Sequence, residues 1–234
     1  MRLCMFHPAD HPLERGWVGR IDGEEVTQLA AQTLQSFFTG GGKAREHASY
    51  RLDAVRLLAP VLHPPAIRVF EDQRSFAFAS PAAICGPGED VPRNKSLRGA
   101  LALHARLAGV IGGDGGFAGY TQLAEWRDPT LEPPKDRDFA LGLGPYVVTP
   151  DELDPAGLEA IVRVDGDECA RGRFPELDWT AARELAAAGT RLQPGDLVAG
   201  PALPPVEVEP GADVEIVVAE IGVLAQRLCP EVEI

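Results

Sequence analysis

One carboxylate, in the stretch GYTQLAEWRD, stands where it could bind a metal ion. The stretch runs from Gly119 to Asp128, and its pattern predicts a strand that ends in a polar turn, with Glu125 just past the apolar part. Hard divalent cations such as Mg²⁺ prefer carboxylate oxygens as ligands. Glu125 is therefore a candidate metal ligand, or what remains of a site that once had more of them.

Motifs for nucleophilic and zinc-dependent chemistry are missing from the sequence. It has no Gly-x-Ser-x-Gly, no His-Glu-x-x-His and no Cys with a nearby His. The stretch TGGGKARE lacks the spacing and the hydroxyl residue of a phosphate-binding loop. GVIGGDGGFAGYT approximates a dinucleotide fingerprint, but the residues after it predict a strand instead of a helix N-terminus. We therefore expect no bound nucleotide and no catalytic thiol or zinc.

Composition narrows the class of protein. The 234 residues are 45% hydrophobic, which is enough for a full core, and the formal net charge is -13. Such a charge disfavours binding to nucleic acid or to an anionic membrane. The apolar runs are too short for a membrane-spanning helix or a secretion signal, and the four cysteines are far apart. These features predict a globular protein with no nucleic-acid or membrane partner and a cytoplasmic location.

The elements that would position Glu125 are mostly short strands. Residues 1–62 predict a small N-terminal α/β domain, with a strand at WVGRIDG and a helix over EEVTQLAAQTLQSFFTGG. Residues 63–234 contain short β-type runs separated by glycine- and proline-rich turns. One helix is expected at DWTAARELAAAG, with Asp178 or Thr180 as its cap and Gly189 at its end. The predicted fold class is β-rich α+β.

Several stretches, read in order, resemble the fumarylacetoacetate hydrolase (FAH) family. They include ASPAAICGPGEDVP, GYT followed by a tryptophan, PPKDRDFALGLGP, GTRLQPGDLVAG and EPGADVEIVVAEIGVLAQRL. The resemblance covers nearly the whole chain. It implies a mixed β-sandwich roll, a homodimer, and a Mg²⁺ or Ca²⁺ ion that chelates a β-dicarbonyl or oxo-acid substrate.

The metal ligands that the resemblance implies are almost all missing from this sequence. The family's first aspartate falls on Val69, and its Glu-x-Glu pair is aligned with Arg98 and Ala100. The last aspartate becomes Glu125. One carboxylate cannot satisfy the octahedral geometry of Mg²⁺, so we expect no metal and no other cofactor. A conventional magnesium hydrolase would require a different alignment between Val69 and Gly116.

Other residues of the implied active site are kept or replaced. Lys135 and Asp138 match the family's Lys-x-x-Asp, and Lys135 is the residue that would steady an enolate. Arg98 would take the place of the metal as a fixed positive charge and bind a substrate carboxylate. The alternative is that Arg98 is only a solvated charge on an edge strand. The segment VFEDQRSFAF keeps Glu71 and Asp72 but lacks the expected histidine. His104 is interpreted as a core or edge histidine.

Two functions remain open from the sequence. In the first, Lys135 and Arg98 bind a small enolisable oxo-acid or dicarbonyl compound, and Glu125, with Asp138 nearby, moves a proton at carbon without a metal. Tautomerisation, decarboxylation or carbon-carbon cleavage would follow. In the second, the chain is a catalytically inactive member of the fold that serves as a binding or oligomerisation partner. Under the first hypothesis, Lys135→Ala abolishes turnover.

Overall fold

The computed structural model describes residues 1–13, 15–92 and 99–230 of the chain. These residues form eighteen β-strands and two α-helices. The strands, in chain order, are β1 (Arg2–Pro8), β2 (Trp17–Asp22), β3 (Glu25–Leu29), β4 (Glu46–Arg51), β5 (Val55–Leu58), β6 (Ile67–Phe70), β7 (Phe76–Ala79), β8 (Ile84–Cys85), β9 (Asp90–Val91), β10 (Leu101–Ile111), β11 (Phe117–Arg127), β12 (Leu141–Val148), β13 (Glu159–Val164), β14 (Asp167–Arg173), β15 (Leu197–Ala199), β16 (Val206–Val208), β17 (Asp213–Val218) and β18 (Gly222–Leu228). The helices are α1 (Leu34–Thr39) and α2 (Trp179–Ala187).

The strands form two mixed sheets. The first has thirteen strands, with the main order β4-β3-β2-β1-β12-β11-β10-β15-β6-β7, and the second has five, in the order β14-β13-β17-β18-β9. At the centre of the first sheet, the long strands β10 and β11 pair antiparallel over nearly their whole length. The β-rich mixed fold expected from the sequence is confirmed.

Apolar side chains cover both faces of the β10–β11 pair. Leu103, Leu107 and Trp126 point toward the second sheet and belong to the core between the sheets. Ala108 and Leu123 belong to a second core on the opposite face. Side chains on a strand alternate between faces, so the other residues in step with Leu123 share that second face. They include Glu125, and the candidate site lies there.

The N-terminal strands continue the main sheet, because β1 pairs with β12 through Arg2 and Leu3. The division of the chain at residues 62 and 63 stays a prediction. The helix expected over EEVTQLAAQTLQSFFTGG is wrong in its first half, where β3 pairs with β2 across a turn at Gly23, which has a φ of 62°. The β-branched Val26 and Thr27 favour the strand, and a helix begins only at Leu34.

The second predicted helix is confirmed as α2. The Asp178 side chain accepts a hydrogen bond from the Ala181 backbone N–H, as expected of an N-cap. Gly189, with a φ of 72°, follows just beyond the helix end. Within the described residues, no helix is long and apolar enough to cross a membrane.

Candidate functional site

The β10–β11 register decides which side chains surround Glu125. His104 stands directly opposite Glu125, and Arg106 stands opposite Leu123. Directly opposed residues of an antiparallel pair point to the same face, as do residues two apart on one strand. His104, Arg106 and Glu125 therefore project together, next to the apolar Ala108 and Leu123.

Arg106 is the centre of a buried ion cluster. Its side chain has no exposed surface, and its Nε donates to Glu125 Oε2 over 2.8 Å. Its Nη1 donates to the backbone carbonyls of Phe70 and Gly200 over 3.0 and 2.9 Å. Its Nη2 donates to both carboxylate oxygens of Glu71 over 3.0 Å each. Because Arg106 is fully buried and each of its three guanidinium nitrogens is hydrogen-bonded to protein oxygens, it is not accessible to a ligand.

Glu125 is held by two arginines. Its side chain is fully buried, and Oε2 accepts a second hydrogen bond from Arg127 Nη2 over 2.9 Å. The other oxygen, Oε1, is buried without a hydrogen-bond partner among the described residues. The carboxylate charge is thus compensated by Arg106 on the neighbouring strand β10 and by Arg127, two residues further along β11.

Glu71 closes the cluster at its solvent side. It is about half exposed, and it accepts from Arg127 as well as from Arg106. Arg137 approaches it at 3.7 Å while pairing with Asp136. Burial alone would raise the pKa of Glu71, but the hydrogen bonds from Arg127 and Arg106 outweigh burial, so its pKa lies below the usual value. Glu71 is therefore an ionised partner of the arginines at neutral pH.

His104 lies at the border between this cluster and an open cleft. Burial, helped by the positive charge of Arg127, lowers the pKa of His104 to about 4. The imidazole is therefore uncharged at pH 7. A base with such a low pKa accepts a proton poorly, so His104 is a weak general base.

The cleft has a volume of about 630 Å³ and opens widely to solvent. One wall is the segment after β6, from Glu71 to Gln73, and the other is the loop Pro201 to Pro205 that follows β15. This loop is the GPALPP stretch of the sequence. His104 lines the cleft between these two walls.

Lys135 and Asp138 are brought together with each other, and within the described part of the chain no hydrogen bond or ion pair joins either of them to Glu125. Lys135 Nζ forms an ion pair with Asp138 Oδ2 at 2.5 Å, and the lysine side chain is 70% exposed. The hydrogen-bond partners of Glu125 are Arg106 and Arg127, and the convergence of Lys135 with Glu125 on one substrate stays a prediction.

The positions aligned with the missing metal ligands have different fates. Val69 is a buried apolar residue of β6. Arg98, the expected substrate-binding cation, lies outside the described residues, and Ala100 precedes β10. The strand pairing instead places His104 and Arg106, spaced two apart, beside Glu125. Within the part of the chain that is described, no three His, Cys, Asp or Glu side chains are grouped to hold a metal ion.

Sequence reasoning missed the arginines of the cluster. Arg106 lies in the run LALHARLAG, where a charged residue between apolar neighbours is a signal, since buried charges occur in pairs or networks. Glu71 was noted only as a residue that the segment VFEDQRSFAF keeps. Arg127, two residues after Glu125, carries a weaker signal because it also fits a solvated strand end.

The fold and the matched residues define the class of protein. Residues 48–229 match the family model described as fumarylacetoacetate (FAA) hydrolase C-terminal, so the chain belongs to that family. This confirms the family expected from the order of the motifs. No curated protein matches the chain significantly.

Solved structures agree with this assignment. The maleylpyruvate hydrolase from Sphingobium sp. SYK-6, in complex with manganese(II) and pyruvate, is 23% identical, with a TM-score of 0.79 over 99% of this chain and 100% of that one. The 5-carboxymethyl-2-hydroxymuconate delta-isomerase from Mycobacterium smegmatis is 22% identical, with a TM-score of 0.80 and the same coverage. The fumarylacetoacetate hydrolase from Exiguobacterium antarcticum is 20% identical, with a TM-score of 0.81 and again the same coverage. At these identities the likeness establishes the fold.

Proposed function

We propose that this chain is a divergent FAH-fold protein in which an arginine-centred ion cluster replaces the divalent cation, and that it acts by binding a partner molecule instead of by metal-dependent catalysis. The observation that carries the proposal is the enclosure of Arg106, which is fully buried and hydrogen-bonded through all three guanidinium nitrogens to Glu71, Glu125 and two backbone carbonyls. A guanidinium enclosed in this way cannot leave the site, and a substrate oxygen cannot reach it.

The residues around Glu125 do not fit a divalent metal. The maleylpyruvate hydrolase structure contains manganese and pyruvate, and the family resemblance implies a Glu-x-Glu pair near the last carboxylate. We assign this pair to His104 and Arg106, because they are two apart and one of them lies opposite Glu125. A guanidinium at one of these positions repels a dication and contributes no oxygen ligand.

Metal-free proton transfer is the second candidate function. It is supported by the uncharged His104 at the cleft and by the Lys135–Asp138 pair that matches the family motif. It is opposed by the burial of Glu125, which has no exposed surface from which to reach a substrate carbon. A general base must come within hydrogen-bond reach of the proton that it removes.

Titration with Mn²⁺ followed by calorimetry or electron paramagnetic resonance tests the proposal. We expect no stoichiometric binding by the natural chain. The double substitution His104→Glu and Arg106→Glu places two further carboxylates beside Glu125, and we expect it to bind Mn²⁺ and to gain thermal stability when the ion is added. Tight binding of one Mn²⁺ by the natural chain would overturn the proposal.

A turnover assay separates the two candidate functions. Incubation of the natural chain with β-dicarbonyl and oxo-acid compounds should give no rate above the uncatalysed reaction. A rate that persists in the presence of a chelator and disappears in Lys135→Ala would establish metal-free catalysis instead. Lys135→Ala disturbs only an exposed ion pair, so its folding can be checked by circular dichroism.

A further inference from the structure

A second cavity continues the open cleft into the protein. It encloses about 330 Å³ and is more closed than the cleft. Its inner wall is made by Leu107, Phe174, Leu177 and Trp179, of which the first three are buried. The cleft and the cavity share Gln73, Pro175, Glu176 and Pro201, so they are two parts of one space. Such an apolar recess with polar groups at its mouth is the usual form of a small-molecule site.

Gln73 joins two segments of the chain that line the recess. Its Nε2 donates to the Glu176 carbonyl over 2.6 Å, and its Oε1 accepts from the Asp178 N–H over 2.9 Å. The segment after β6 is thereby tied to the residues just before α2. The recess is thus a built feature of the fold, with one wall from each of two distant parts of the chain.

The charges at the mouth have one sign. Glu71, Asp72, Glu176 and Asp178 line the combined space, and no lysine or arginine of the described residues does. The arginine cluster compensates Glu71, while Asp72 and Asp178 accept backbone hydrogen bonds and form no ion pair within the described residues; the charge of the nearby Arg74 acts on Asp72. Glu176 makes no ion pair within the described part of the chain. The uncharged His104 adds no positive charge.

We propose that this recess binds a small organic cation, with the apolar part of the ligand against Trp179 and Leu177 and the positive group among Glu176 and Asp72. The inference rests on the proposed function, since it names the class of ligand for a cleft that works without a metal. An oxo-acid anion would meet uncompensated carboxylates at the mouth, whereas a cation is attracted to them.

Three probes of similar shape test the charge preference: 2-phenylethylammonium, 2-phenylethanol and 3-phenylpropionate. Their binding to the full chain is measured by isothermal titration calorimetry at pH 7.5 and low salt. We expect the ammonium ion to bind at least about fivefold more tightly than the alcohol, and the carboxylate to bind most weakly. Equal binding of the ammonium ion and the alcohol, or tighter binding of 3-phenylpropionate, would overturn the proposal.

Gly200→Ala tests whether the recess is the binding site. A Cβ at Gly200 would lie 3.5 Å from Leu177 Cδ2 and 3.6 Å from Trp179 Cη2, an ordinary contact that the fold tolerates. The added methyl group takes space in the recess, so we expect the affinity for 2-phenylethylammonium to fall by about fivefold or more. Gly172→Ala is the control, because its Cβ has the same closest distance of 3.5 Å but Gly172 does not line the recess. Unchanged affinity in Gly200→Ala would contradict the proposed location.

Glu176→Gln tests the origin of the charge preference. We expect this variant to bind the ammonium ion about threefold to tenfold more weakly and the alcohol equally well. Glu220→Gln, an exposed carboxylate in the turn between β17 and β18, should leave both affinities unchanged. Equal effects of the two variants would show that overall charge, and not this site, attracts the cation, and the proposal would fail.

The Mn²⁺ titration keeps this inference separate from the proposed function. A preference for 3-phenylpropionate in a chain that binds no Mn²⁺ would overturn only the ligand class. Stoichiometric Mn²⁺ binding would overturn the proposed function, whichever probe binds best.

Discussion

Two regions of the molecule contain residues that could do chemistry: the buried cluster around Arg106 and the pair of Lys135 and Asp138. They differ in how far water reaches them. Arg106 and Glu125 have no exposed side-chain surface, whereas Lys135 is 70% and Asp138 35% exposed. Water screens the exposed pair, so its attraction is worth little. The buried pair is shielded from water, and each of its charges must be matched by another.

Under the proposed function, the buried site has exchanged a metal ion for ion pairs within the protein. Where the family resemblance implies a metal ion among carboxylates, this chain has guanidinium groups that balance Glu71 and Glu125 from within. Removing such a cluster piece by piece is costly, because each step leaves an unpaired buried charge. Removing the surface pair costs almost nothing, so stability measurements distinguish the two regions.

Arg106→Met is expected to have the largest effect. It leaves the buried Glu125 without its main partner, and the free energy of unfolding should fall by about 3 to 5 kcal/mol in urea titrations. The double variant Arg106→Met and Glu125→Leu removes both charges and should recover most of that loss. If the single variant is as stable as the natural chain, the cluster does not have the central role that its geometry indicates.

The pH dependence of the free energy of unfolding tests whether His104 is held uncharged in the folded chain. Its pKa is lowered from 6.5 to about 4 in the folded chain, so the unfolded chain binds a proton more readily. The contribution of His104 to the free energy of unfolding is therefore constant above about pH 7. It falls as the pH drops from 6.5 toward 4. His104→Asn should lose about 2 kcal/mol less than the natural chain over this range, as measured by urea unfolding at each pH. Parallel pH profiles of the two proteins would show that His104 is not held uncharged.

Lys135→Ala should have the smallest effect. The exposed ion pair with Asp138 contributes less than about 1 kcal/mol, so thermal unfolding should change little. Asp138→Asn is the matched variant and should behave in the same way. A loss of several kcal/mol in either variant would mean that this loop is coupled to the buried cluster, for example through the neighbouring Asp136 and Arg137, which reaches Glu71.

Much of the fold was predictable from local patterns. The short β-type runs expected between residues 63 and 234 include what became strands β6, β12 and β15, and Asp178 caps the helix α2 as expected. Alternating apolar residues and a capping side chain act over a few neighbouring residues, so they are visible in the sequence. The strand β3 was missed because its pairing with β2 outweighs the helical pattern of the residues around it.

The candidate site was predictable only in part. The sequence predicted a strand that runs into a polar turn, with Glu125 just past the apolar part, whereas β11 continues to Arg127. The sequence could not show that Glu125 is fully buried or that Arg106 and Arg127 are its partners. Arg106 lies 19 residues earlier, and its distance from Glu125 depends on how the chain turns between β10 and β11. The dimer and the cytoplasmic location stay predictions.

What the amino-acid sequence determined by itself was the family, several of the strands along the chain, and the scarcity of carboxylates where the family resemblance implies metal ligands. The tertiary structure decided which charges meet. The turn through Gly112 to Gly116 and the bulge at Val110 set the register of β10 against β11, and that register places His104 opposite Glu125 with Arg106 beside them. A shift of one residue would turn Arg106 to the other face of the sheet, so only the folded chain specifies the cluster.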